Sequence, residues 1–298
     1  MTEVIEIVEV GPRDGLQNET AVLTAIDRAQ FVRRLEDCGA RRIEAVSFVN
    51  PARVPQMAQA EAVMADLPRR EGRARIGLIL NRRGWDRALA AGCDEANFAL
   101  CATDGFGIRD QGASVAEQLT ALSQIVAARA QHGGPPLSLT IAVAFGCPFD
   151  GEVSQARLVE IVRAAATLGI EEIALADTIG VADPWTVRAR VAAVRAAAPD
   201  ARLRLHFHDT RNTGLANAFA GIEAGVRALD ASCGGFGGCP FAPAATGNIA
   251  TEDLAYMLQR AGFDTGLDIK ALVATARWVG EKLGKPPVSA LSRAGGFP

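Results

Sequence analysis

The chain holds only three histidines, and two of them stand one residue apart in "RLRLHFHDT", residues 202–210, at the end of a run that otherwise reads as a buried strand. Alternate residues of a strand share a face, so His206 and His208 point the same way, about 6 to 7 Å apart along the backbone. Two imidazoles in that relation can grip one cation. The competing reading, two core histidines satisfied by neighbouring groups, suits a lone histidine better than a pair with carboxylates at hand. His132, in "QHGGPP", reads as an exposed loop residue.

Other polar residues fall where apolar runs end. Arg13 and Asp14 follow the first run, Glu44 lies in the second with Ser47 at its end, and Asp177 closes the sixth. The eighth leads into "GGFGGCPFAPAATGN", residues 234–248, which carries Cys239 and Asn248. Asp14 is the natural third ligand for a cation held by His206 and His208, and Asn248 could add an amide oxygen. Two neutral nitrogens with oxygen donors and open water positions suit octahedral Mg²⁺ or Mn²⁺, although zinc also accepts these ligand types. A glycine-rich loop can form a mobile lid or a plain connection. A thiol above a metal can act as acid or base, but Cys239 reads equally well as an inert packing residue.

These residues need elements to bring them together. Short runs rich in Val, Ile and Leu alternate with longer segments of helical period, the pattern of repeated strand-helix units around a parallel sheet. Eight runs are counted, at 5–10, 41–48, 74–80, 95–101, 137–145, 171–177, 203–208 and 226–233. Eight is the number that closes a barrel, whose active site forms at the C-terminal ends of the strands. The expected fold is an α/β protein, a single (β/α)8 TIM barrel over 1–263, with a C-terminal helix and tail over 264–298 packed on it. A doubly wound open sheet is the structural alternative.

Composition narrows the function. With 31 Lys and Arg against 34 Asp and Glu, the net charge of −3 supplies no basic field for a nucleic-acid partner. "MTEVIEIVEV" has no basic leader and no apolar run reaches a membrane span, so a cytoplasmic protein with no membrane partner is expected. Six scattered cysteines without a C-x-x-C pair suggest reduced thiols rather than disulfides or structural zinc.

The blocks "VEVGPRDGLQNE", "IEAVSFVNPARVPQM", "GCPFDG", "ADTIG", "HFHDT" and "GGCPFA…TGNIATEDL" occur in this order at strand ends. Together they resemble the hydroxymethylglutaryl-CoA lyases, barrel metallolyases with an Arg-Asp motif on strand one. The resemblance implies retro-Claisen cleavage of a 3-hydroxy-acyl-CoA thioester to acetyl-CoA and, for the name substrate, acetoacetate. It implies that Asp14, His206, His208 and Asn248 bind the divalent metal and that Arg13, Glu44, Asp177 and Cys239 line the reacting centre, with Asp177 or His206 as base. Gln17, Ser47 and Arg211 are expected against the substrate, and a homodimer and a place in leucine catabolism are expected of the protein.

The chain also departs from the family pattern. Ala174, Leu175 and Ala176 precede Asp177 where Ser-Leu-Gly is common, Arg211, Asn212 and Thr213 replace Tyr-Gly-Gln, and Thr20 replaces a Lys. With the metal residues and loop thiol intact, these changes leave citramalyl-CoA or a longer 3-hydroxy-3-alkylglutaryl-CoA as alternative substrates. A related metal-dependent aldolase or Claisen-condensing enzyme is the runner-up. A non-catalytic module would be expected to lose a ligand or the thiol.

Overall fold

The computed structural model describes residues 2–238 and 247–297. Eight parallel strands close into a (β/α)8 TIM barrel in sequence order: β1 (Glu6–Glu9), β2 (Arg42–Ser47), β3 (Ala74–Ile79), β4 (Glu95–Cys101), β5 (Leu137–Ala142), β6 (Glu172–Asp177), β7 (Arg202–Phe207) and β8 (Ala228–Ala231). Pairing of β1 with β8, from Glu6 opposite Ala228 to Glu9 opposite Ala231, removes the open-sheet alternative. Around the barrel run α1 (Ala25–Asp37), α2 (Ala60–Ala65), α3 (Arg82–Ala90), α4 (Asp104–Asp110), α5 (Val115–His132), α6 (Gln155–Thr167), α7 (Pro184–Ala197) and α8 (Gly214–Glu223). Then come α9 (Thr251–Arg260), α10 (Ile269–Leu283) and α11 (Ala290–Ala294).

Local chemistry fixes where elements begin and end. Ser114 and Glu117 form a reciprocal capping box at the start of α5, and Asp183 caps α7 ahead of Pro184 at its first position. The fifth apolar run stops short of its expected end. Val143 adopts φ of 49°, a left-handed conformation that β-branched residues rarely take, and its N–H donates to Thr178 Oγ1 at 2.8 Å instead of extending the ladder. Helix α10 lies against α1, with Lys282 2.8 Å from Asp27 and the rings of Trp278 and Phe31 6.2 Å apart.

The main apolar core lies between sheet and helices, while the inside of the barrel is unusually polar. Barrels of this class fill their interior with bulky aliphatic layers; here Val8, Val10 and Ile76 form only a small inner cluster. At the N-terminal ends of the strands Arg42 reaches Glu6 and Glu95, each at 2.8 Å, and Glu172 at 2.9 Å. The barrel is thus plugged from below by mutually neutralising charge.

One carboxyl stitches the closure at the opposite end. Glu9 Oε1 accepts from the N–H of Gly11 at 2.7 Å and of Cys233 at 2.9 Å, and Oε2 accepts from the Thr251 hydroxyl at 2.7 Å. The turns after β1 and β8 and the start of α9 are therefore tied to a single side chain. Burial pushes the Glu9 carboxyl from 4.5 up to about 7, against the pull of those three donors. Its folded value is raised, so the folded chain retains a proton that the unfolded chain has released. That contribution is complete below pH 4.5 and is lost as pH rises through about 7. The shift corresponds to about 3 kcal/mol. Urea unfolding at pH 5 and pH 8 is expected to show the wild-type chain losing about that much more than Glu9→Gln, which stays neutral throughout; equal losses would mean that Glu9 does not titrate in this window.

Candidate active site and metal centre

The sharp π-turn Gly11–Gly15 follows β1, with the N–H groups of Arg13, Asp14 and Gly15 all directed at the Val10 carbonyl, at 3.1, 2.8 and 3.2 Å. This geometry sets Arg13 and Asp14 side by side at the top of the barrel. Barrel closure brings them to His206 on β7 and to His208 just beyond it. The Nε2 atoms of the two imidazoles stand 3.1 Å apart, and Asp14 Oδ2 lies 3.9 Å from the first and 3.7 Å from the second. All three ligand atoms fall within 4.8 Å of one another.

The orientation of these groups suits a divalent cation. His206 Nδ1 faces Asp230 Oδ2 at 3.1 Å, which occupies that nitrogen and leaves Nε2 turned toward Asp14 and His208. Asn248, bridged to His208 by backbone pairing, donates its amide nitrogen to Asp14 Oδ2 at 2.7 Å and to the Phe236 carbonyl at 3.1 Å. Its amide oxygen and His208 Nδ1 are buried without hydrogen-bond partners. Two imidazole nitrogens aimed at each other beside a carboxylate, with an unpaired amide oxygen close by, form a donor set that a cation would complete. Close backbone approach makes this possible, because a Cβ at Gly247 would collide with the Gly235 carbonyl.

Charge around the triad is strongly organised. Burial would raise the Asp14 carboxyl, but the Arg13 guanidinium and both histidines outweigh it and hold it well below the usual carboxylate range. Burial would depress His206, yet its bond to Asp230 and the charge of Asp14 raise it. Asp230 is held low in spite of burial by Arg204 and His206. Arg13 itself is gripped from two sides. Its Nε and Nη2 lie 2.6 and 2.5 Å from Glu44 Oε2, and its Nη1 lies 2.6 Å from Asp14 Oδ1. Glu44 is steadied in turn by Asn97 Nδ2 at 2.9 Å.

Above these groups opens a cavity of about 520 Å³, lined by Arg13, Asp14, Gln17, His206, His208 and Asp230 together with apolar wall residues. The other expected residues divide. Gln17 lines the cavity with its side-chain oxygen unpaired, and the Ser47 hydroxyl is buried without a partner. Ala176 and Thr178 face the cavity, so strand alternation turns Asp177 to the opposite side. There its carboxylate accepts from the N–H of Val181 at 2.9 Å and Ala182 at 3.0 Å, and burial raises it. The Arg211 guanidinium donates to the carbonyls of Ile179 and Gly180 at 2.9 and 2.8 Å. Cys239 lies outside the described residues, although the preceding Gly238 lines the cavity. Sequence reasoning passed over Asp230 and Asn97. Their signal was a polar residue at an inward position of an otherwise apolar strand.

A family model described as HMGL-like matches residues 4–279, nearly the whole chain. The chain belongs to the HMGL-like family. An (R)-citramalyl-CoA lyase of Chloroflexus aurantiacus is 42% identical, over 98% of this chain and 95% of that one. A hydroxymethylglutaryl-CoA lyase of Bacillus subtilis is 37% identical, over 95% of this chain and 94% of its own length. Among solved structures, an HMG-CoA lyase from Acinetobacter baumannii in complex with coenzyme A and 3-methylmalate superposes with a TM-score of 0.94 at 37% identity, covering 98% of this chain and 95% of that one. With these named lyases matched over nearly its whole length, the protein is a carbon–carbon lyase.

The Arg13–Glu44 pair offers a direct stability test of the site, since the two side chains are only 11% and 1% exposed. Removing one partner of a buried pair strands the other charge, at a cost of about 3–5 kcal/mol. Urea unfolding is expected to show a loss near the lower end for Glu44→Ala, because Arg13 keeps Asp14, and part of it should return in the Arg13→Met, Glu44→Ala double variant. A double variant no more stable than the single would remove the ion pair as the cause.

Proposed function

We propose that the protein is a divalent-metal-dependent acyl-CoA lyase that cleaves 3-hydroxy-3-methylglutaryl-CoA to acetyl-CoA and acetoacetate. The observation that carries this reading is the convergence of Asp14, His206 and His208 at the foot of the cavity, with Arg13 on its wall. Asp14, His206 and His208 would hold Mg²⁺ or Mn²⁺, with Asn248 beside them, and the ion supplies Lewis-acid polarisation of the substrate's tertiary hydroxyl and carboxylate.

The protein's own groups divide the remaining work. Breaking the carbon–carbon bond turns the hydroxyl-bearing carbon into a ketone and leaves the electron pair on the thioester as an enolate. Arg13, fixed by Glu44, places a permanent cation for the enolate oxygen, a kind of stabilisation worth about 2.7–4 kcal/mol per donor. Neither candidate base for the hydroxyl proton is free to take it: the Asp177 carboxylate is held by loop N–H groups on the other face of β6, and His206 has Nδ1 turned to Asp230 and Nε2 to the metal position. Cys239, next in sequence to the cavity-lining Gly238, is assigned return of a proton to the enolate carbon. Gln17 carries a polar atom on the lining for the substrate, whereas the Ser47 hydroxyl is buried away from it, and Arg53, Arg83 and Arg87 on the lining suit the phosphates of coenzyme A.

A second acyl group is favoured by a specific observation. Identity to the citramalyl-CoA lyase, 42%, exceeds the 37% to the Bacillus hydroxymethylglutaryl-CoA lyase. Citramalyl-CoA is one methylene shorter, bears the same tertiary hydroxyl, and would give acetyl-CoA and pyruvate by the same step. No described helix is long and apolar enough to cross a membrane, and we assign the protein to the cytoplasm as a homodimer.

Acetyl-CoA release from both thioesters, followed with and without chelator, tests the reading. Turnover is expected to need Mg²⁺ or Mn²⁺, to collapse in Asp14→Ala, His206→Ala and Cys239→Ala, and to fall about 10²–10³-fold in Arg13→Met. The ratio of rates on the two thioesters names the acyl group. Full activity in excess chelator would overturn the metal-dependent mechanism.

A further inference from the structure

Arg204 stands two residues before His206 on β7, on the same inward face, and is wholly buried. Its Nη1 donates to Asp230 Oδ1 at 2.8 Å; its Nε is within ion-pair distance of Glu172 Oε1, at 3.0 Å, and neither Nε nor Nη2 makes a hydrogen bond. The register of β7 against β8 sets Asp230 directly opposite His206, and the second Asp230 oxygen faces His206 Nδ1 at 3.1 Å. Glu172 in turn is paired with Arg42 at 2.9 Å. An unbroken file of alternating charge therefore climbs the barrel axis from Arg42 through Glu172, Arg204 and Asp230 to His206.

Such a file is costly as a stabilising device. Buried ion pairs return little beyond their desolvation, and a well-packed aliphatic layer in their place is often neutral or better. An aliphatic layer is also what this fold ordinarily holds at that height. What the aliphatic layer lacks is a fixed acceptor beneath an imidazole. With one Asp230 oxygen pinned by Arg204, the other has a single orientation, aimed at His206 Nδ1. A proton on Nδ1 then leaves the Nε2 lone pair for the position shared with Asp14 and His208.

We infer that Arg204 is a positioning residue for the metal centre: through Asp230 it fixes the tautomer and ring orientation of His206. The inference rests on the metal-dependent reading given above and extends it to a residue that touches neither metal nor substrate.

The chain's three histidines make the test tractable. The metal-stripped protein is titrated with Mn²⁺, beside Arg204→Met, Arg204→Gln, Asp230→Asn and the Arg204→Met, Asp230→Asn double variant, with circular dichroism recorded for each. Histidine ¹⁵N spectra are taken on the Mg²⁺-saturated proteins. Wild type is expected to bind one Mn²⁺ and to show, among its Nδ1-protonated imidazoles, one signal that is absent from His206→Ala. Arg204→Met should weaken Mn²⁺ binding about 10–100-fold, lose the fixed Nδ1 signal assigned to His206 and keep its secondary structure. The double variant should bind no more weakly than Asp230→Asn alone, because both changes break one chain of contacts. Wild-type affinity and tautomer in a folded Arg204→Met overturn the inference, as do additive losses in the double variant. If Arg204→Met fails to fold, the same two readouts on Arg204→Gln decide it. A wild-type chain that binds no Mn²⁺ overturns the metal reading itself, and the tautomer comparison in the metal-free proteins then judges Arg204 separately.

Discussion

The hydrogen bonds between β1 and β8 are the constraint on which the site depends. Asp14 follows the first strand, and His206 and His208 come almost 200 residues later. They meet within 4 Å only because the first strand pairs with the last. Glu9 reinforces that seam from the side, bonding the turn that carries Asp14 and the turn that leads toward Asn248. A fold that left the sheet open would keep every one of these residues and have no centre.

The seam also explains the polar interior. A cation site at the top of a barrel needs imidazoles and carboxylates with defined orientations, and those are set by what lies beneath them. Arg204 and Asp230 take that place here, and Glu172 and Arg42 continue the balance of charge to the foot of the barrel. Each inward charge has an opposite neighbour one layer away, so the low-dielectric interior carries them without an unpaired ion.

Much of this was legible in the sequence. Eight apolar runs separated by helical segments specify strand count and order, and the His-x-His spacing specifies two imidazoles on one face, because these are properties of local period and residue type; Asp14 joins them only through closure of the barrel. Direction and register were not legible. Asp177 ends its strand as expected, but Ala176 faces the cavity, and the one-residue phase sends the carboxylate to the loop N–H groups. Arg211 sits near the barrel mouth in sequence, yet its long side chain folds onto two carbonyls of the loop after β6. Asp230 gains its meaning only from lying opposite His206, a relation between strands that no single segment records.

The cavity wall along β3 to β6 is built differently. Leu78 on β3, Ala99 on β4, Ala142 on β5 and Ala176 on β6 present short or aliphatic side chains, whereas the ligands and their supports belong to β1, β7, β8 and the turns that follow them. On the reading proposed above, bond breaking would belong to one arc of the ring and contact with the acyl group to the adjoining one. Exchanging one small residue for another on β3 to β6 would reshape the acyl chamber while the arc that performs the chemistry stays as it was, so a barrel of this kind can change its diet without relearning its reaction.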